Sequence, residues 1–108
     1  MAVNAIGRGV MAIIEVDAYV IDTLLPDLVG HDRQPSAFLV YLFLWRRSRD
    51  SDRMKTQVSL LDIATATGLS KRAVQEALRR LAKRRLISIQ RESITAIPVY
   101  TVRRPWLR

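Results

Sequence analysis

The stretch LLDIATATGLSKRAVQEALRRLAKRRLISI, Leu60 to Ile89, decides how this chain reads. Ser59-Leu60-Leu61-Asp62 has the form of a capping box, a serine at the cap and an acid three residues on. The short helix it opens runs to about Thr67, where Gly68 supplies the left-handed turn that few other residues tolerate. Leu69 follows as a buried hinge residue, and Ser70 caps a second helix over 70–84. Two caps, a glycine turn and a short first helix build a helix-turn-helix.

On a wheel of about 100° per residue, Val74, Ala77, Leu78 and Leu81 of that second helix form one apolar stripe. Opposite lie Arg72, Glu76, Arg79 and Lys83, with Gln75 at the edge. One face packs, and the other is basic with an amide beside it. Such a helix fits the major groove of double-stranded DNA, where Arg and Lys meet guanine acceptors and Gln pairs with adenine. A solvated amphipathic face explains the stripe equally well, but not the charge, for Glu76 is the lone acid between Lys71 and Arg91. Glu76 could accept from a cytosine amino group, or tie down Arg72 and Arg80 four residues either side.

The charge of the whole chain follows the same division. Its 108 residues carry a formal net charge of +8, yet residues 1–44 hold two basic and five acidic side chains. All of the positive excess therefore lies beyond residue 44. A one-sided surplus repels itself unless a polyanion neutralises it. Nucleic acid is the leading partner, and an anionic membrane surface a weaker second.

The chain has the length of a single domain, 1–108, with an extension at 1–33 and a core at 34–108. Residues 1–16 lack a helical period: Gly7 and Gly9 loosen the start, and Ile13, Ile14 and Val16 suit a short extended lead-in. Asp17 is placed to cap a helix from Ala18 to about Val29, which Pro26 would kink or end early. Pro35 opens another helix whose run Phe38 to Trp45 is apolar all round and should be buried on most sides. Thr56-Gln57-Val58 suffices for one short strand. Leu86 to Gln90 and Ile94 to Val102 make a hairpin across a tight polar link, Arg91-Glu92-Ser93, with Pro98 restricting the second strand to a sheet edge. The fold class is mainly α with a small antiparallel β-sheet.

A hairpin directly after such a helix is a wing, and Ser59 to Val102 resembles a winged helix-turn-helix DNA-binding domain. Ala64, Gly68 and Val74 match that family's small residue at the helix crossing, turn glycine and core aliphatic. Leu81 to Ile87 resembles the passage into the wing in GntR-like and MarR-like regulators. Two positions depart from the pattern: Arg85 stands where the family often has glycine, and the wing tip carries Arg91-Glu92-Ser93 where it often has glycine. So short a wing counts against minor-groove insertion. Ala18 to Arg47 is similar to the N-terminal part of DnaD-type replication-initiation proteins.

The expected DNA contacts are Ser59, Ser70, Lys71, Arg72, Gln75, Arg79, Lys83, Arg84 and Arg91. Arg72, Gln75 and Arg79 point away from the apolar stripe, so at least one of them should reach base edges; for Lys83, Arg84 and Arg91 phosphate is the nearer target. Catalysis has little to work with. Cysteine is absent, the one histidine, His31, falls in a loop, and Asp50-Ser51-Asp52 reads as a solvated turn rather than a cation site. Neither an enzyme nor a cofactor or metal is expected, and no small-molecule effector is evident. The longest apolar run, Ala37 to Trp45, is nine residues, against about 20 needed to cross a bilayer. The reading is a soluble, cytoplasmic transcriptional regulator, a homodimer if apolar surface is left over on the N-terminal helices. A replication or plasmid-maintenance module and a winged-helix protein adaptor are the alternatives.

Overall fold

The computed structural model describes residues 12–107; the loosened start expected at Gly7 and Gly9 lies outside them. Residues 12–17 form no regular element. Helical backbone begins at Ala18 and continues to His31 through two runs of π-helix, Val20–Leu24 and Pro26–His31. Pro26 therefore does not end the helix. A proline has no N–H to donate and its ring collides with the carbonyl four residues back in α geometry. Wider i→i−5 bonding relieves this: Leu25 N–H donates to the Val20 carbonyl and Asp32 N–H to that of Asp27. A helix that turns more slowly than 3.6 residues per turn also keeps positions four apart on one face. Val20, Leu24 and Leu28 accordingly share the buried side, while Ile21 is exposed. The Asp17 carboxylate is not a cap; it accepts from Trp106 Nε1 at 3.0 Å and pairs with Arg104 at 3.6 Å.

Helix α1 spans Pro35–Ser48 and is the centre of the molecule. Ala37, Phe38, Val40, Tyr41, Leu44 and Trp45 are buried, but Leu39 is 45% exposed, so the helix is covered on most rather than all sides. The polar ends of its aromatics are satisfied: Tyr41 Oη donates to the Arg103 carbonyl at 2.9 Å and Trp45 Nε1 to that of Glu15 at 2.8 Å. Strand β1 is Lys55–Gln57, followed by α2 at Leu60–Thr67 and α3 at Lys71–Lys83. The α3 stripe of Val74, Ala77, Leu78 and Leu81 is buried as the wheel requires, in one apolar cluster with α1 and with Ile63 and Ala64 of α2.

Strands β2 (Ile87–Gln90) and β3 (Val99–Val102) complete an antiparallel sheet of order β1-β3-β2. Thr56 faces Tyr100 on one side of β3 and Ile89 faces it on the other. This corrects two expectations. The second wing strand is central, not at an edge, and it begins after Pro98, whose carbonyl accepts from Val58 N–H at 3.3 Å. The link between the wing strands runs from Arg91 to Pro98 and is not tight. The architecture is a winged helix-turn-helix preceded by an extra N-terminal helix.

The end of α3 explains the departure at Arg85. Leu86 N–H returns to the Leu81 carbonyl at 2.9 Å and Arg85 N–H to that of Ala82 at 3.0 Å. These two bonds are a Schellman closure, which places its C′ residue in the left-handed region. Arg85 is that residue, at φ 60°. Glycine adopts this backbone state freely, and Arg85 holds it at a steric cost.

Candidate nucleic-acid interface

The turn that presents α3 is built as its sequence demands. Ser59 Oγ accepts from Asp62 N–H at 3.1 Å, and Ser70 Oγ accepts from Ala73 N–H at 3.0 Å. Gly68 lies between the helices at φ 77°, its N–H donating to the Ala64 carbonyl at 2.9 Å. Leu69 is half-buried. Both serine hydroxyls are engaged as acceptors in capping and keep their own proton to donate outward.

Beyond that turn, Lys71, Arg72, Gln75, Glu76, Arg79 and Lys83 are all exposed on α3. Among the described residues, Lys71, Gln75, Arg79 and Lys83 have no side-chain ion pair or hydrogen bond, so their donors are free. Arg72 lies 3.7 Å from Glu76 and is 89% exposed, an ion pair held loosely in water. Arg80, expected to share Glu76, turns the other way and donates to Gln34 Oε1 at 3.3 Å, with Asp32 at 3.9 Å.

Two clefts flank this ridge. On the wing side, a groove of about 570 Å³ runs between α3 and the wing, with Gln75 and Arg79 on one wall and Ile89, Arg91, Ile97 and Tyr100 on the other. Ser59 also lines it. Arg91 is exposed there, and its Nη1 donates to the Ile94 carbonyl at 3.4 Å across the bend of the wing loop. On the other side, a cleft of about 470 Å³ separates α3 from the turn at residues 32–36. Arg79 borders both clefts and is the middle of the ridge.

Arg84 does not belong with these free cations. Its Nε and Nη2 donate to the two oxygens of Asp32 at 2.7 and 2.9 Å, and Asp27 lies 3.9 Å from Nη1. The Asp32 side chain is only 4% exposed. A bidentate, largely buried pair of this kind is a structural clamp between the N-terminal helix and the end of α3. The Arg84 hydrogen bonds hold the Asp32 carboxyl far below the usual carboxylate range, against the opposing effect of burial, with His31 and Arg80 assisting. Arg84 thus has two donors committed to Asp32, unlike Lys83, whose ammonium is free. Sequence reading missed this because the partner lies 52 positions away.

Not all of the basic surplus faces α3. Arg47 sits over Phe43, and Arg49 and Arg104 over the Trp45 ring, with their charges on aromatic faces of α1. Nor do acidic side chains gather: among the described residues no three His, Asp or Glu come together as a metal site would need. No described helix is long and apolar enough to cross a membrane.

A family model described as a helix-turn-helix domain matches residues 34–87, half of the chain. The chain belongs to that family. The matched span contains α1, β1, α2 and α3 and stops at the first residue of β2, so it covers the supporting helix and the two helices of the motif. Helix-turn-helix domains are DNA-binding modules that place their second helix in the major groove. No curated protein and no solved structure gives a match to the chain.

Proposed function

We propose that this protein is a sequence-specific DNA-binding regulator of transcription, with α3 in the major groove of double-stranded DNA and the 87–102 wing beside it. The observation that carries the reading is the pairing of free donors on α3: Gln75 and Arg79 are exposed, unpartnered and one helical turn apart. An amide and a guanidinium so placed can pair bidentately with adenine and guanine edges, which a merely solubilising face has no need to do. Arg72, at the start of the same face, joins them as a base reader once it leaves Glu76.

Lys71, Lys83 and Arg91 take phosphate, with Ser59 and Ser70 donating from their capped positions. Residues 34–108 form the winged core and 1–33 an extension, and a regulator of this kind works in the cytoplasm, on the chromosome. Exposed Ile13, Ile14 and Ile21 favour a homodimer through the N-terminal side, which would suit paired half-sites.

Selection from random duplexes tests the reading. A consensus should emerge, and Arg79→Ala or Gln75→Ala should lose about 1–3 kcal/mol on it while relaxing preference at one position. Uniform loss on every sequence would point instead to an architectural or replication role. Absence of DNA binding, with retention of an acidic protein partner, would make the domain an adaptor.

A further inference from the structure

Arg33 stands apart from the rest of the acidic N-terminal part. It occupies the turn between the N-terminal helix and α1 in the left-handed region, at φ 53°. A long side chain is rarely found there, and the conformation costs free energy. Both its neighbours are tied to α3: the Asp32 carboxylate by Arg84 at 2.7 Å and Arg80 at 3.9 Å, and Gln34 Oε1 by Arg80 at 3.3 Å. The Gln34 N–H also returns to the Leu28 carbonyl at 2.8 Å. Arg33 itself is exposed, and among the described residues its side chain has no ion pair. The turn is fixed on both sides, and the side chain at its apex is left free.

That free side chain lines the cleft on the side of α3 away from the wing, facing Arg79 and Lys83 across it, with Ser36 beside it. Of the acids of the cleft, Asp32 is engaged by Arg84 and Arg80, while Glu76 is met only loosely by Arg72. Arg33, Arg79 and Lys83 therefore outnumber the one loosely paired acid, Glu76, and the cleft keeps an excess of positive charge. A helix in the major groove has one phosphate strand on each flank. The wing, with Arg91, covers one flank; on the other, Lys83 is the one side chain so far given to phosphate that lines the cleft.

We infer that Arg33, with Lys83 and Ser36, seats the backbone phosphates of the second DNA strand, so that α3 is gripped from both sides. The inference rests on the DNA-binding reading. The complementary charge and the open cleft suit a continuous sugar–phosphate strand. The Asp32–Arg84 and Gln34–Arg80 contacts act as positioning elements, holding the Arg33 turn at a fixed distance from α3.

The test uses two substitutions whose effects diverge. Arg33→Gly and Arg33→Ala should each weaken binding severalfold on selected and random duplexes alike and lower the salt slope by about one unit. Arg33→Gly should at the same time raise the melting temperature, because glycine adopts positive φ freely. A purely structural role would move stability and binding together. Duplexes carrying a single uncharged methylphosphonate, stepped along both strands, locate the contact. At one phosphate on the flank opposite the wing, neutralisation should weaken wild type but not Arg33→Gly. Wild-type affinity and slope in both variants, with no such position, would overturn the inference. So would saturable binding of inorganic phosphate that Arg33→Gly abolishes while DNA affinity is kept. Arg79→Ala serves as the parallel control: if it falls and Arg33→Gly does not, only this inference fails. If wild type binds no duplex at all, the DNA-binding reading fails and takes the inference with it.

Discussion

Replacing Arg84 by alanine removes two charge-assisted hydrogen bonds and leaves the Asp32 carboxylate, 4% exposed, without its main partner. Breaking a buried pair from one side costs about 3–5 kcal/mol. The Arg84 side chain is 30% exposed and Arg80 remains 3.9 Å from the carboxylate, so the low end applies, about 3 kcal/mol. For a domain of this size that corresponds to a melting temperature lower by roughly 12–24 °C. Urea unfolding of wild type, Asp32→Ala, Arg84→Ala and the double variant measures it. The double variant should be less unstable than the sum of the singles, by about 2 kcal/mol, since the second change removes a charge already stranded by the first. On the selected duplex, at a temperature where Arg84→Ala is folded, the salt slope should equal that of wild type. A variant as stable as wild type, with a slope lower by one unit, would refute the clamp and return Arg84 to the DNA contacts.

The same carboxylate sets an acid limit. Its folded pKa lies below the unfolded value, so its contribution to stability is fully present above about pH 4 and is lost as pH falls through the folded value. The stability gap between wild type and Asp32→Asn should be constant from pH 5 to 7 and close only in stronger acid; a gap that closes near neutrality would point to another group. Arg85→Gly should stabilise by about 1 kcal/mol, because the Schellman closure holds that residue at φ 60°; differential scanning calorimetry reads this directly. Gly68→Ala should cost about 1 kcal/mol and Gly68→Val on the order of 1–3 kcal/mol. Nothing lies within 4 Å of a Cβ built at Gly68, so the penalty is one of backbone alone; an unchanged melting temperature for the valine variant would show that the turn relaxes.

What was legible in the sequence is what local chemistry specifies. Ser59, Gly68 and Ser70 each announce a backbone state, and the Val74, Ala77, Leu78 and Leu81 spacing permits one buried face. Those signals lie within a few residues of one another, and all reappear in the structure. The N-terminal helix was found but its winding was not, because π and α backbones share the same composition and only the passage through Pro26 separates them. The position of β3 was misjudged for a different reason. Its neighbour β1 has three residues and pairs across 46 positions, from Lys55 to Thr101, which no local pattern records. Arg84 and Arg33 show the same limit in the site: free and committed arginines look alike until the chain brings Asp32 to one and not to the other.

The central claim, that the free donors of α3 and its flanks meet a DNA duplex, is tested most directly by titrating wild-type protein with a labelled duplex over a series of salt concentrations. Lys71, Lys83, Arg91 and Arg33 supply four phosphate contacts in this account. The logarithm of the binding constant should then fall linearly with the logarithm of salt, with a slope of about −3.6. Binding that is absent, or that persists unchanged as salt rises, would contradict it.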